Sequence, residues 1–150
     1  MKKDFELKAF KLTEVGIECR YSEMNETAEG VEITTENNVK DARPIHSDLF
    51  DLFDCDLTKI AGEILLIDET ENLNLTGVQL TGKEDGAAIR IMGEIITGFG
   101  NAKFKTPRIK YKIGDAPVKA EITVFVERLI DEVGKYLFDG KEGEVEVFGE

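Results

Sequence analysis

An α+β fold is expected from three features of this chain. Apolar residues alternate with polar ones near the start and again in the middle, two later stretches carry apolar stripes at helical spacing, and turn residues separate these patterns. The expected architecture is one domain over residues 1–150: antiparallel sheet or sheets packed with two main helices in a layer sandwich, in the order strands, helix, strands, helix, strand.

Phe5, Leu7 and Ala9 alternate with polar neighbours, and Val15, Ile17, Cys19 and Tyr21 do so again. A period of two sends one row of side chains to the core and the other to water. Asn25 and Gly30 mark a turn, and Val31, Ile33 and Thr35 open a further strand ending at Glu36-Asn37-Asn38, so a meander with one wet face is expected. Leu49, Phe53, Leu57, Ile60 and Ile64 then recur at steps of four, four, three and four, the stripe of a helix. Ser47 suits its N-cap, with Pro44 holding the preceding chain extended and Ile45 placed as a staple. Asp48, Asp51 and Asp54 fall in the first turns, where the helix dipole favours negative charge.

Leu73 and Leu75 share one strand phase, whereas Val78 and Leu80 take the other, so a bulge at Thr76-Gly77 is needed to bring both pairs to one face. Residues 82–86 read as a hairpin loop, and Ile89, Ile91 and Ile95 as the return strand, with Gly93 a candidate kink. Residues 98–117 look irregular, with a short strand at Ile109, Tyr111 and Ile113. Ile122, Phe125, Val126, Leu129, Ile130, Val133 and Leu137 form a second helical stripe closed by Gly140. The EITVFV run at its start also alternates, which leaves a strand there open. Glu144 to Phe148 reads as a terminal strand or extended tail.

Charge and composition narrow the function. The 150 residues carry 31 acids against 19 bases, a net −12, which rules out a uniformly basic nucleic-acid coat or a polybasic membrane binder. The start lacks the apolar run of about 7–15 residues of a secretory signal. Ile64 to Ile67 is the longest apolar run, against about 20 residues for a membrane span. Cys19 and Cys55 read as reduced core or near-core thiols, and the cytoplasm (a host cell's, if the chain is phage-encoded) is the expected compartment.

The −12 hides a segregated field. Between Asn101 and Ile113 stand Lys103, Lys105, Arg108, Lys110 and Lys112 with no acid, and nineteen bases less these five leave 14 against 31 acids, or −17 elsewhere. Phe99, Phe104 and Tyr111 lie beside them. Cations contact phosphates and aromatics stack bases, so the mixture suits a nucleic-acid site, with Phe104 and Tyr111 as the stacking pair. The same cations also suit the solvent face of an edge strand, where charge discourages pairing with another sheet, or docking onto an acidic surface of this or another subunit. A second candidate is acidic: Asp48, Asp51 and Asp54 with Glu69 and Glu71 would imitate a phosphate row and fill a basic groove on another protein. Solvation and dipole compensation account for the three Asp without any partner, and this simpler reading is preferred.

No catalytic constellation emerges. The single His46, with Asp48, gives two ligands where a catalytic zinc needs three, with no second His to pair it, and His46 fits a cap or turn. Ser22, Ser47, Cys19 and Cys55 have no base in sequence register, and neither Gly98-x-Gly100 nor Gly82-Lys83-Glu84 continues as a phosphate loop. A non-enzymatic protein without metal or cofactor is expected.

His46, Asp48, Leu49, then Thr76, Gly77, Val78, and finally Tyr136, Leu137, Phe138, Gly140 and Lys141 sit in a layout that resembles a group of small bacteriophage and prophage proteins of no assigned activity. The resemblance implies a setting beside phage replication and recombination. Some members end in a Gln-Leu-x-Leu-Phe tail similar to clamp-docking peptides, but here Glu144 replaces the Gln and forfeits an amide donor. A clamp-like subunit is opposed by the helices, since Lys59 alone faces five acids between Asp48 and Glu63. The expected function is therefore an accessory protein of DNA metabolism that binds DNA or a DNA-metabolism protein. Its rivals are an acidic nucleic-acid mimic that inhibits another factor, or a structural component that assembles as a homo-oligomer.

Overall fold

The computed structural model describes residues 5–13, 16–42, 46–67, 70–114 and 116–139. Seven antiparallel strands form one sheet: β1 (Phe5–Thr13), β2 (Gly16–Glu26), β3 (Glu32–Asp41), β4 (Leu73–Thr81), β5 (Ala88–Thr97), β6 (Gly100–Lys105) and β7 (Ile109–Lys110). Their order is β3-β2-β1-β4-β5-β6, and β7 also pairs with β5, beyond the end of β6. The helices are α1 (Ser47–Asp51), a π-helical segment (Leu52–Leu57), α2 (Thr58–Leu65) and α3 (Pro117–Phe138). The fold is thus α+β, with one sheet and two helical regions. Its chain order is three strands, helix, four strands, helix; the terminal strand expected at Glu144–Phe148 lies outside the described residues, as do Pro44, Ile45 and Gly140.

The sheet's buried phase is continuous across four strands. Cys19 pairs with Phe10, Phe10 with Val78, and Val78 with Ile91, and all four are buried. Against this row pack Leu49, Phe53, Leu57 and Ile60 from the first helical region and Ile122, Phe125, Leu129 and Val133 from α3. Phe53 lies between Phe10 and Phe125, with ring centroids 5.5 and 6.1 Å away, so one ring ties sheet to both helical layers. The run at Glu121–Val126 is helical, because its apolar residues Ile122, Phe125 and Val126 continue the stripe of α3 at three and four residues.

Four details depart from the expected pattern. In β1 the register shifts between Leu7 and Ala9, so Phe10 replaces Ala9 in the core. Val31, just before β3, and Ile33 within it are exposed, and Val39 reaches the core instead. His46, not Ser47, caps α1: its Nδ1 accepts the Asp48 N–H at 3.1 Å. The first helix also widens over Leu52–Leu57. On an α-helix each step of four overshoots one turn by roughly 40°, so Leu49, Phe53 and Leu57 would drift around the axis. The wider i→i+5 turns absorb the drift, and all three are buried. The bulge at Thr76-Gly77 is present as expected, and Leu73, Leu75 and Val78 share the core face.

Candidate nucleic-acid interface

The basic segment forms one edge of the sheet. β6 pairs with the Met92–Thr97 half of β5, and β7 pairs with Ala88 and Ile89. Between them the chain stays on the same edge through Thr106, whose N–H donates to the Ile91 carbonyl while its hydroxyl accepts the Ile91 N–H, each at 2.9 Å. Pro107 has no N–H to contribute, and the buried threonine hydroxyl takes over part of the ladder.

Alternation fixes where the cations point. Phe104 and Ile109 pack on the core, so Lys103, Lys105 and Lys110 project from the opposite face, which no described helix covers. Arg108 joins them: its Nε donates to the Thr81 hydroxyl at 2.9 Å, across Ala88, which separates Thr81 from Lys110 in the register. Lys112 is exposed just beyond β7, 6.0 Å from the centre of the Tyr111 ring. The two aromatics expected to stack bases are otherwise placed. Phe104 and Tyr111 are half-buried against the core, and burial raises the Tyr111 phenol above its ordinary value. Phe99 is the accessible one of the three, fully exposed at the tip of the β5–β6 hairpin, where its N–H donates to the Thr97 hydroxyl at 3.2 Å.

Folding adds cations that lie far away in the sequence. Arg20 lies between buried Cys19 and Tyr21, Lys11 between Phe10 and Leu12, and Arg90 between Ile89 and Ile91. All three therefore project from the open face. The register connects them to the edge: Lys11 stands opposite Gly77, Gly77 opposite Met92, and Met92 opposite Lys105. In the neighbouring row Arg20 faces Ala9, Ala9 faces Gln79, and Gln79 faces Arg90. Arg90 Nε is buried without a hydrogen-bond partner among the described residues. No run of bases marks these three, since each sits alone among apolar or acidic neighbours. The polar phase of each strand was the signal that identifies them.

The acids on the central part of this face are engaged. Glu36 takes Lys8 at 2.9 Å, Glu18 takes Lys40 at 3.7 Å, Glu6 takes Lys83 at 3.9 Å, and Glu94 accepts from Asn101 at 3.3 Å. The Lys8 hydrogen bond and charge, with Arg20 adding to them, hold the Glu36 carboxyl below the ordinary range. Lys11, Lys103, Lys105 and Lys110 make no ion pair with any described residue.

The acidic candidates do not form one row. Asp48 and Asp51 line a groove with Asp56, Asp131 and Glu132, between the first helical region and α3. Asp54 turns the other way, toward Thr76 and Glu94. Glu71 lies in a short 3₁₀ turn before β4, and Glu69 is outside the described residues. Much of the groove's charge is internally matched, with Arg128 3.4 Å from Asp56 and Lys135 3.0 Å from Asp131.

Of the candidate nucleophiles, Cys19 is buried, which pushes its thiol up to about 12. Cys55 is exposed on the helix rather than near the core; partial desolvation and the carboxylates of Asp54, Asp51 and Asp56 raise its thiol as well. No group of His, Cys, Asp and Glu arranged to hold a metal occurs among the described residues, and no described helix is long and apolar enough to cross a membrane. Comparison with known proteins finds no matching family model, no similar curated protein and no similar solved structure.

Proposed function

We propose that this is a non-enzymatic nucleic-acid-binding protein, with Lys103, Lys105, Arg108, Lys110 and Lys112 as its phosphate contacts. The phage-protein resemblance sets it in phage or prophage DNA metabolism, in the host cytoplasm. The observation that carries the reading is the placement of these cations on the open side of one sheet edge, where the lysines of β6 and β7 have no carboxylate partner among the described residues. Unmatched surface cations are what a polyphosphate backbone exchanges for its counterions. The non-enzymatic part is supported by the capping role of His46, the burial of Cys19 and the acidic surroundings of Cys55, which leave no activated nucleophile beside a base among the described residues.

Fluorescence anisotropy with a labelled oligothymidylate tests this. Binding at low salt should weaken as salt rises, and replacing all five cations by Gln should lower the salt slope by about 3.5, at about 0.7 per phosphate contact on a single strand. Absence of wild-type binding at low salt would sink the proposal.

A second reading, an acidic surface that binds a replication factor or inhibits a host protein as a nucleic-acid mimic, is favoured by one observation: Asp48, Asp51 and Asp131 share one groove. The internal pairing of Asp56 and Asp131 and the opposite heading of Asp54 count against it.

A further inference from the structure

We infer that the ligand is single-stranded and that it lies across the open face of the sheet, with Lys11, Arg20 and Arg90 as binding residues in addition to the basic edge. This rests on the nucleic-acid reading and extends it from an edge to a surface. From Arg20 on β2 to Lys105 on β6 there are four strand spacings, or about 19 Å at roughly 4.8 Å each. The floor between these cations is uncharged: Ala9 and Gln79 in one row, Gly77 and Met92 in the other. Gly77 presents no side chain at all, so the row from Lys11 to Lys105 dips beside Lys11 and carries a cation at each end.

That shape selects the ligand. A duplex is a stiff convex cylinder and touches a shallow face along a narrow stripe, leaving cations on β1, β2 and β6 unable to reach phosphates together. A single strand follows the face, turns its phosphates to the cations at either side and lays its bases on the uncharged floor. Arg90 supplies the independent mark of an anion, a guanidinium Nε buried in this face with no partner among the described residues. Arg20 also lies near Glu36, whose primary partner is Lys8, so phosphate binding competes there with a carboxylate.

Two measurements on the full chain decide it. First, lysine acetylation of the wild-type protein, read by mass spectrometry with and without oligothymidylate, should show Lys11 protected together with Lys103 and Lys105, while Lys59 and Lys135 on the helical side keep reacting. Second, the triple variant Lys11→Gln, Arg20→Gln, Arg90→Gln should lose about 2 from the salt slope, which makes binding about 100-fold weaker at about 0.1 M salt. Lys11→Gln alone should lose about 0.7 and serves if the triple variant fails to fold. Protection of Lys103 and Lys105 with Lys11 still reactive would overturn the surface and leave the edge reading standing. Equal affinity for a duplex of the same length would overturn the single-strand assignment. Failure of the wild type to bind any oligonucleotide would overturn both.

Discussion

Replacing Gly77 by alanine tests the bulge on which the open face depends. A methyl group built on Gly77 lands 2.8 Å from the Phe10 carbonyl oxygen and 3.3 Å from the Lys11 Cα, both backbone atoms of β1. No rotamer change relieves a clash with backbone, so β1 and β4 must separate where Lys11 and Gly77 pair. Overpacking of this kind costs about 1–3 kcal/mol, and in a domain of this size each kcal/mol lowers Tm by about 2–4 °C. A drop of about 2–12 °C in a circular-dichroism melt is therefore expected. Gly86→Ala is the internal control: nothing lies within 4 Å of its added methyl, and its φ is not positive. That variant should melt within about 2–4 °C of wild type or slightly above it, through the reduced freedom of the unfolded chain. Equal melting of the two variants would refute the close approach of β1 and β4 at the bulge.

Two further perturbations address the core and the thiols. Phe53→Ala removes the ring between Phe10 and Phe125 and should cost about 3–5 kcal/mol in denaturant unfolding; a loss under about 1 kcal/mol would mean that the ring does not join the layers. A chromogenic disulfide reagent should consume one thiol, Cys55, in the native protein and a second only after denaturation, because Cys19 is buried and its thiol stands at about 12. Fast reaction of both thiols in the native state would contradict the placement of Cys19.

What the sequence reveals of this fold depends on how local each determinant is. The stripe of α3 is legible because Ile122 to Val133 repeats at helical spacing over several turns. The bulge in β4 is legible as a change of phase between Leu75 and Val78. The bulge at Lys8 in β1 is hidden, because Leu7 and Ala9 look like an unbroken alternation and only the partner strands show that Phe10 takes the inner place. β6 was expected to be irregular: GNAKFK has one large apolar residue, and its pairing is imposed by β5 and sustained past Pro107 by Thr106. The basic segment was visible as a run. Its extension to Lys11, Arg20 and Arg90 depends on strand order, which no local pattern encodes. In the sequence Phe104 and Tyr111 read as surface residues, because aromatic–cation interleaving looks the same whether the aromatic faces a base or the core.

The interior cations also separate the two uses of the basic edge. Lysines on an outermost strand discourage pairing with another sheet, and Lys103, Lys105 and Lys110 serve that purpose whatever else they do. Edge protection needs charge on the edge alone. Lys11 lies on β1, between β2 and β4; Arg20 lies on β2, between β1 and β3; Arg90 lies on β5, between β4 and the β6–β7 edge. None of these strands has a free ladder to protect there, and each spends an outward position on a cation in a chain whose net charge is −12. Solubility gives no reason for that choice, since added acids would serve an acidic protein as well without drawing its own carboxylates onto the face. A ligand carrying negative charge across the strands, rather than along their edge, accounts for both sets of cations with one surface.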